Sequence, residues 1–165
     1  MPYSTRDYLL YWVARRQLSR QELINKALKK EYPKTEINDS IKFLESNGFI
    51  SDIRLAENLI HFYYQQRGLS WIRQKARQRL IPAEVFEKAW IDYTDRIREN
   101  MDRNVNSDHQ PFFPEVKQKV LGKYKLNRII EADDKTKQKI ASFLAYRGFQ
   151  PFEMINKWIE EERNI

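Results

Sequence analysis

Along most of this chain the apolar residues recur at intervals of three and four, with no sustained two-residue alternation. That is the spacing of helices with one buried stripe, not of half-buried strands. A first helix is expected over residues 5–16, aligning Tyr8, Leu9, Trp12 and Val13. A second begins at Ser19, whose Ser-x-x-Glu pattern with Glu22 can cap two amides reciprocally, and ends before Pro33. A third carries Ile37, Ile41 and Leu44 and stops at Gly48; a fourth starts at Ser51 or Asp52 and aligns Ile53, Ala56, Ile60 and Tyr63. The fifth, capped by Ser70, aligns Ile72, Ala76 and Leu80, and the sixth starts at Pro82 and aligns Phe86, Trp90, Tyr93 and Ile97. Residues 104–108 read as a loop, and helices resume around Pro114, over 134–147 and over 151–162. Gly48, Gly68 and Gly148 each follow an apolar stretch, where a left-handed cap costs least, while Pro82 and Pro151 sit just inside the next helix.

The order of these elements repeats. Leu18-Ser19, with Glu22, Leu23 and Leu28, returns about 51 residues later as Leu69-Ser70, with Arg73 and Leu80. The stretch from Ile81-Pro82 to Trp90-Ile91 returns about 68 residues on as Phe149-Gln150-Pro151 to Trp158-Ile159. The fold class expected is therefore all-α, built from three tandem three-helix repeats: residues 1–50, residues 51–97, and residues 114–165 after an insertion or linker over 98–113.

Charge changes this picture because it is clustered. Residues 58–83 contain no acid, while Arg67, Arg73, Lys75, Arg77 and Arg79 supply +5. Residues 117–130 again contain no acid, while Lys117, Lys119, Lys123, Lys125 and Arg128 supply another +5. The rest of the chain is net negative, so these two segments are the candidates for contact with a polyanion. On a helix, the 73/77 and 75/79 pairs form rows roughly 160° apart and cannot all face one partner. A solvated helix whose long side chains cover apolar neighbours is the competing reading. Gly122 interrupts the second cluster, which is therefore read as a loop. Phe62, Tyr63, Tyr64 and Trp71 lie beside the first cluster, as core aromatics on the first reading and as base-stacking rings on the second.

Catalysis finds little support. The chain has no cysteine and two histidines, His61, read as a helix-surface residue, and His109, read as a loop residue, so no metal site is expected. Gly122-Lys123 is not a phosphate loop, because Lys117 stands in place of the first glycine and Tyr124 in place of the Ser/Thr. Asp133-Asp134 and Glu160-Glu161-Glu162 read as capping and solvation, so no catalytic residue and no cofactor are assigned. No apolar run approaches the roughly 20 residues of a membrane span, and the first residues do not resemble a secretory signal, so a soluble, cytoplasmic protein is expected.

Three stretches resemble the RecX regulatory proteins, modulators of the RecA recombinase. They are Leu44-Glu45-Ser46-Asn47-Gly48-Phe49-Ile50-Ser51-Asp52-Ile53-Arg54-Leu55-Ala56, then Arg67-Gly68-Leu69-Ser70-Trp71-Ile72-Arg73 with Leu80-Ile81, then residues 139–149 from Lys139 to Phe149. Ser51 stands where the family usually has a second acid, and Leu55 where it usually has an aromatic. The resemblance implies an elongated, curved, monomeric helical protein. It further implies a noncatalytic regulator that binds the RecA–DNA filament, with single- and double-stranded DNA among its partners, and mostly inhibits ATP hydrolysis and strand exchange in DNA repair and the SOS response. The ten cations of the two acid-free segments would be the contact residues. The alternative is a basic helical DNA-binding module that acts without RecA.

Overall fold

Several helix starts in this chain are set by short polar side chains at the orphan amides of a first turn, while the helices that begin at Lys34, Pro114 and Pro151 start without one. Ser4 accepts the Asp7 N–H and begins α1 (Thr5–Arg15). Ser19 and Glu22 form the reciprocal box expected of them and begin α2 (Arg20–Leu28). Asp52 accepts the Arg20 N–H at 2.8 Å, so a residue at the start of α4 (Asp52–Tyr63) completes the cap of α2. The remaining helices are α3 (Lys34–Ser46), α5 (Leu69–Gln78), α6 (Ala83–Arg103), α7 (Pro114–Tyr124), α8 (Asp134–Tyr146) and α9 (Pro151–Arg163), with a 3-10 turn at Ile129–Glu131. The structure, a computed structural model, describes residues 4–103 and 113–164. Among these no strand occurs, and no helix is long and apolar enough to cross a membrane.

Three helix pairs, α2–α3, α5–α6 and α8–α9, are joined by the same turn, which also follows α3 at Gly48 and α7 at Lys125. Glu31, Leu80 and Gly148 take left-handed φ of 60°, 53° and 85°. In each turn the next residue's amide bonds back to the preceding helix: Tyr32 to Ala27, Ile81 to Ala76 and Phe149 to Leu144. A helix that ends in this way satisfies its last carbonyls and turns its next apolar residue into the core. The buried positions then run in register, with Leu23, Ile72 and Ile140 in the first helix of each pair and Ile37, Phe86 and Met154 in the second. The structural spacing between the turns of the first two pairs is 49 residues, not the 51 suggested by pairing Ser19 with Ser70.

The chain divides into two compact units, one comprising residues 1–61 with 74–95 and the other residues 62–73 with 96–165. In the first, α1, α2 and α3 pack pairwise around Leu9, Leu23, Ile37, Ile41 and Leu44. Arg79 ties this unit further: its Nε bonds Glu22 at 3.1 Å and its Nη2 the Gln17 carbonyl at 2.6 Å. In the second, Trp158 is wholly buried among Val120, Ile129, Ile140 and Leu144.

Several expectations are corrected. Ser70 does not cap α5, which starts one residue earlier; its hydroxyl donates to the Gly148 carbonyl at 3.0 Å. Gly68 is not a left-handed cap. Its N–H donates to the Arg147 carbonyl at 2.9 Å, and a Cβ there would overlap the Gly148 carbonyl, so close backbone approach is what requires glycine. Leu80 lies past the end of α5 and is exposed, because the left-handed turn hands the buried place to Ile81. Gly122 lies within α7, so the second basic cluster is largely helical. The sixth helix runs on to Arg103, into the segment expected as a linker. The loop assigned to 104–108, and His109, lie outside the described residues.

A buried carboxylate fixes the second unit. Glu162 accepts the N–H groups of Ile129 and Ile130, each at 3.0 Å, and pairs with Lys117 at 3.0 Å; Glu161 lies 3.7 Å from the same ammonium. Burial alone would raise the Glu162 pKa, but the Ile130 and Ile129 amides and Lys117 outweigh it and hold it below its ordinary 4.5. A depressed folded-state pKa contributes stability that is present above the unfolded value and lost as pH falls through the folded one. Glu162→Gln should therefore cost about 3 kcal/mol at neutral pH by urea unfolding, with the difference from wild type shrinking below about pH 4. An equal difference from pH 7 to pH 3 would contradict this account. Gly68→Ala should destabilise by about 3 kcal/mol or more through backbone overlap, whereas Gly122→Ala, open to solvent within α7, should stabilise by about 0.5 kcal/mol. Equal effects at the two glycines in the same unfolding assay would contradict it.

Candidate cationic surface

The ten cations of the two acid-free segments meet different fates. Arg79 is engaged with Glu22 as above, and Arg16 approaches the same carboxylate at 3.6 Å. Lys117 is buried against Glu162. Arg128 donates from Nη2 to the Glu162 backbone carbonyl at 2.7 Å, closing the end of α9. These three charges are used inside the fold, Arg79 and Lys117 on carboxylates and Arg128 on a helix-end carbonyl, which leaves them less to offer a partner. Arg73 and Lys75 are half-buried, flanking the inward-facing Ile72 and Ala76 of α5.

The other five face outward or lie on aromatic rings. Arg77, Lys119 and Lys125 are exposed and pair with no carboxylate among the described residues. Lys125 takes a left-handed φ of 54° at the end of α7, where a positive charge also complements the helix C-terminus. Lys123 lies over the rings of Phe143, at 4.7 Å, and Tyr124, at 5.6 Å. Arg67 lies 4.7 Å over Trp71, which itself packs on Tyr63 at 4.8 Å between ring centroids. Phe62 is 67% exposed, so of the four aromatics beside the first cluster it is the one most open to a partner.

One cation escaped the sequence reading. Arg147 ends α8, lies 4.6 Å over Phe143, and shares its backbone carbonyl with the Gly68 N–H, which brings it beside Arg67. Burial first, and the charge of Arg67 second, push its pKa below the ordinary value. It lies in a third acid-free stretch, residues 135–152, between Asp134 and Glu153, with Lys135, Lys137 and Lys139. The two Arg-Gly dipeptides at 67–68 and 147–148 were the only sequence sign of the pairing.

His61 Nδ1 lies 3.3 Å from the Tyr93 hydroxyl, a contact within the first unit that places the imidazole against a phenol and not against other metal-ligating groups. Among the described residues no cluster of histidine, aspartate and glutamate could hold a metal ion.

No protein-family model matches the chain. It is 27% identical over 134 residues to the regulatory protein RecX of Haemophilus influenzae strain KW20, covering 78% of this chain and 88% of that protein. It is 29% identical over 147 residues to the regulatory protein RecX of Haemophilus ducreyi, covering 89% and 85%. The crystal structure of RecX from Lactobacillus salivarius shares its fold, with a TM-score of 0.73 and 19% identity over 98% of this chain and 96% of that one. This all-helical chain, with one turn repeated at three helix pairs, is thus similar in sequence to RecX regulatory proteins through most of both lengths and shares the RecX fold through nearly all of its own.

Proposed function

We propose that this chain is a noncatalytic regulator that binds the RecA–DNA filament and restrains its ATP hydrolysis and strand exchange. The carrying observation is that Arg77, Lys119 and Lys125 stand exposed, with no carboxylate partner among the described residues, on a fold of the RecX family. Unpaired surface cations gain little within the chain and much against phosphate, where each contact releases condensed counterions. The other contact residues in this reading are Arg67, Arg73, Lys75 and Lys123, while Arg79, Lys117 and Arg128 hold the fold. The segments 1–50, 51–97 and 114–165 are read as three three-helix repeats, each with its own helix pair turned by the same cap. In this reading the protein acts in the cytoplasm as a monomer, in DNA repair and the SOS response, on single- and double-stranded DNA coated by the recombinase. A basic module that binds naked DNA without RecA remains the second reading, favoured by the same cations.

The purified chain should slow DNA-dependent ATP hydrolysis by RecA at or below stoichiometric amounts. Absence of any effect across that range at low salt would contradict the proposal. The triple variant Arg77→Glu, Lys119→Glu, Lys125→Glu should need about tenfold more protein for half-inhibition with its helical circular dichroism unchanged. Unaltered inhibition by that variant would contradict the assignment of these cations.

A further inference from the structure

We propose that Arg67 and Arg147, with Lys123 and the exposed ring of Tyr146, form a phosphate-binding site for single-stranded nucleic acid on the second unit. The inference deepens the reading above and rests on nucleic acid being part of what the chain binds.

The site is assembled by backbone. The Gly68 N–H donates to the Arg147 carbonyl at 2.9 Å, and the Arg147 Nη1 reaches the Gln66 carbonyl at 3.5 Å, so two arginines far apart in sequence are held side by side. Each guanidinium has a ring beneath it, Trp71 at 4.7 Å for Arg67 and Phe143 at 4.6 Å for Arg147. Lys123 lies over the same Phe143 ring at 4.7 Å, which makes a third cation of the group. None of the three pairs with a carboxylate among the described residues. Rings underneath fix the planes of the guanidinium groups and leave their N–H edges for a ligand.

Like charges gathered without a counter-charge disfavour one another; after burial, which is the larger cause, the charge of Arg67 lowers the Arg147 pKa. An arginine remains protonated at neutral pH despite such a shift, so the cost stands until an anion arrives. A phosphodiester matches the arrangement in two respects. Planar forks recognise phosphate oxygens bidentately, and successive phosphates present charge to successive cations. Tyr146 decides between kinds of nucleic acid. Its side chain, 82% exposed and adjacent in sequence to Arg147, offers a stacking face that unstacked bases use and that a closed duplex does not.

Titration of a fluorescein-labelled oligothymidylate, read by anisotropy at several salt concentrations, tests the site. Arg67→Ala with Arg147→Ala should weaken binding roughly tenfold and flatten the salt slope by about 1.4, the contribution of two phosphates on a single strand. Tyr146→Ala should weaken binding with the slope unchanged, and Arg67→Lys with Arg147→Lys should keep the slope. Wild-type affinity and slope in the double alanine variant, or no binding of the oligonucleotide by the wild-type chain, overturns the site. If the double alanine variant lost its helical circular dichroism, Arg67→Gln and Tyr146→Ala, which open no core, carry the test by the same two readouts. Retained oligonucleotide binding together with lost inhibition of RecA assigns the arginines to acidic protein groups and overturns the phosphate assignment. Oligonucleotide binding that depends on the pair in a chain without effect on RecA contradicts the regulator reading and leaves this site standing.

Discussion

The structure depends on one backbone constraint, the left-handed residue that ends the first helix of each pair and sends the next apolar residue inward. Glu31, Leu80 and Gly148 occupy that position, and glycine is the only one of the three to adopt it without cost. A glutamate and a leucine are held there because the following Tyr32 or Ile81 amide bonds back to the helix and because the pair that results buries its apolar stripes. At the third turn the glycine has a second duty. A Cβ on Gly148 would meet the Trp71 backbone nitrogen at 2.5 Å, so this is where the backbone beginning α5 can come close. The same approach sets Arg67 beside Arg147, so a turn that organises helices also organises charge.

Electrostatics divides the cations by depth. Charges that reach a partly or fully buried acid are consumed in holding the fold: Arg79 on the half-buried Glu22, and Lys117 on a buried Glu162 that also satisfies two backbone amides. Removing one partner from such a group leaves an uncompensated charge in a poorly solvated place. Charges that reach only rings or water keep their capacity for a partner. This division, and not the local density of lysine and arginine, separates structural cations from the ones available to a polyanion.

Much of the fold was legible in the sequence because its signals are local. The Ser19–Glu22 box, the Asp133 cap, the proline starts and the three-and-four spacing each act within one or two turns. The exceptions were set by contacts distant in sequence. Gly68 looked like a helix stop but answers to a carbonyl near residue 148, and Ser70 looked like a cap but serves the same carbonyl. Leu80 looked like a core residue, yet its turn exposes it. The candidate surface was legible as charge and illegible as pairing, since nothing in a basic run says that Lys117 meets Glu162 or that Arg67 meets Arg147. Both unions are made by the packing of α7, α8 and α9 and by the loop before α5.

The central claim is that the acid-free, ring-supported cations face a polyanion while the acid-bound ones stay within the fold. A cryo-electron microscopy map of the chain bound to a RecA filament on single-stranded DNA tests it most directly. The account predicts phosphate or filament density against Arg67 and Arg147, with Arg79 still on Glu22 and Lys117 still on Glu162. A map in which Arg67 and Arg147 point to solvent, or in which Arg79 and Lys117 leave their acids to make the contact, would contradict it.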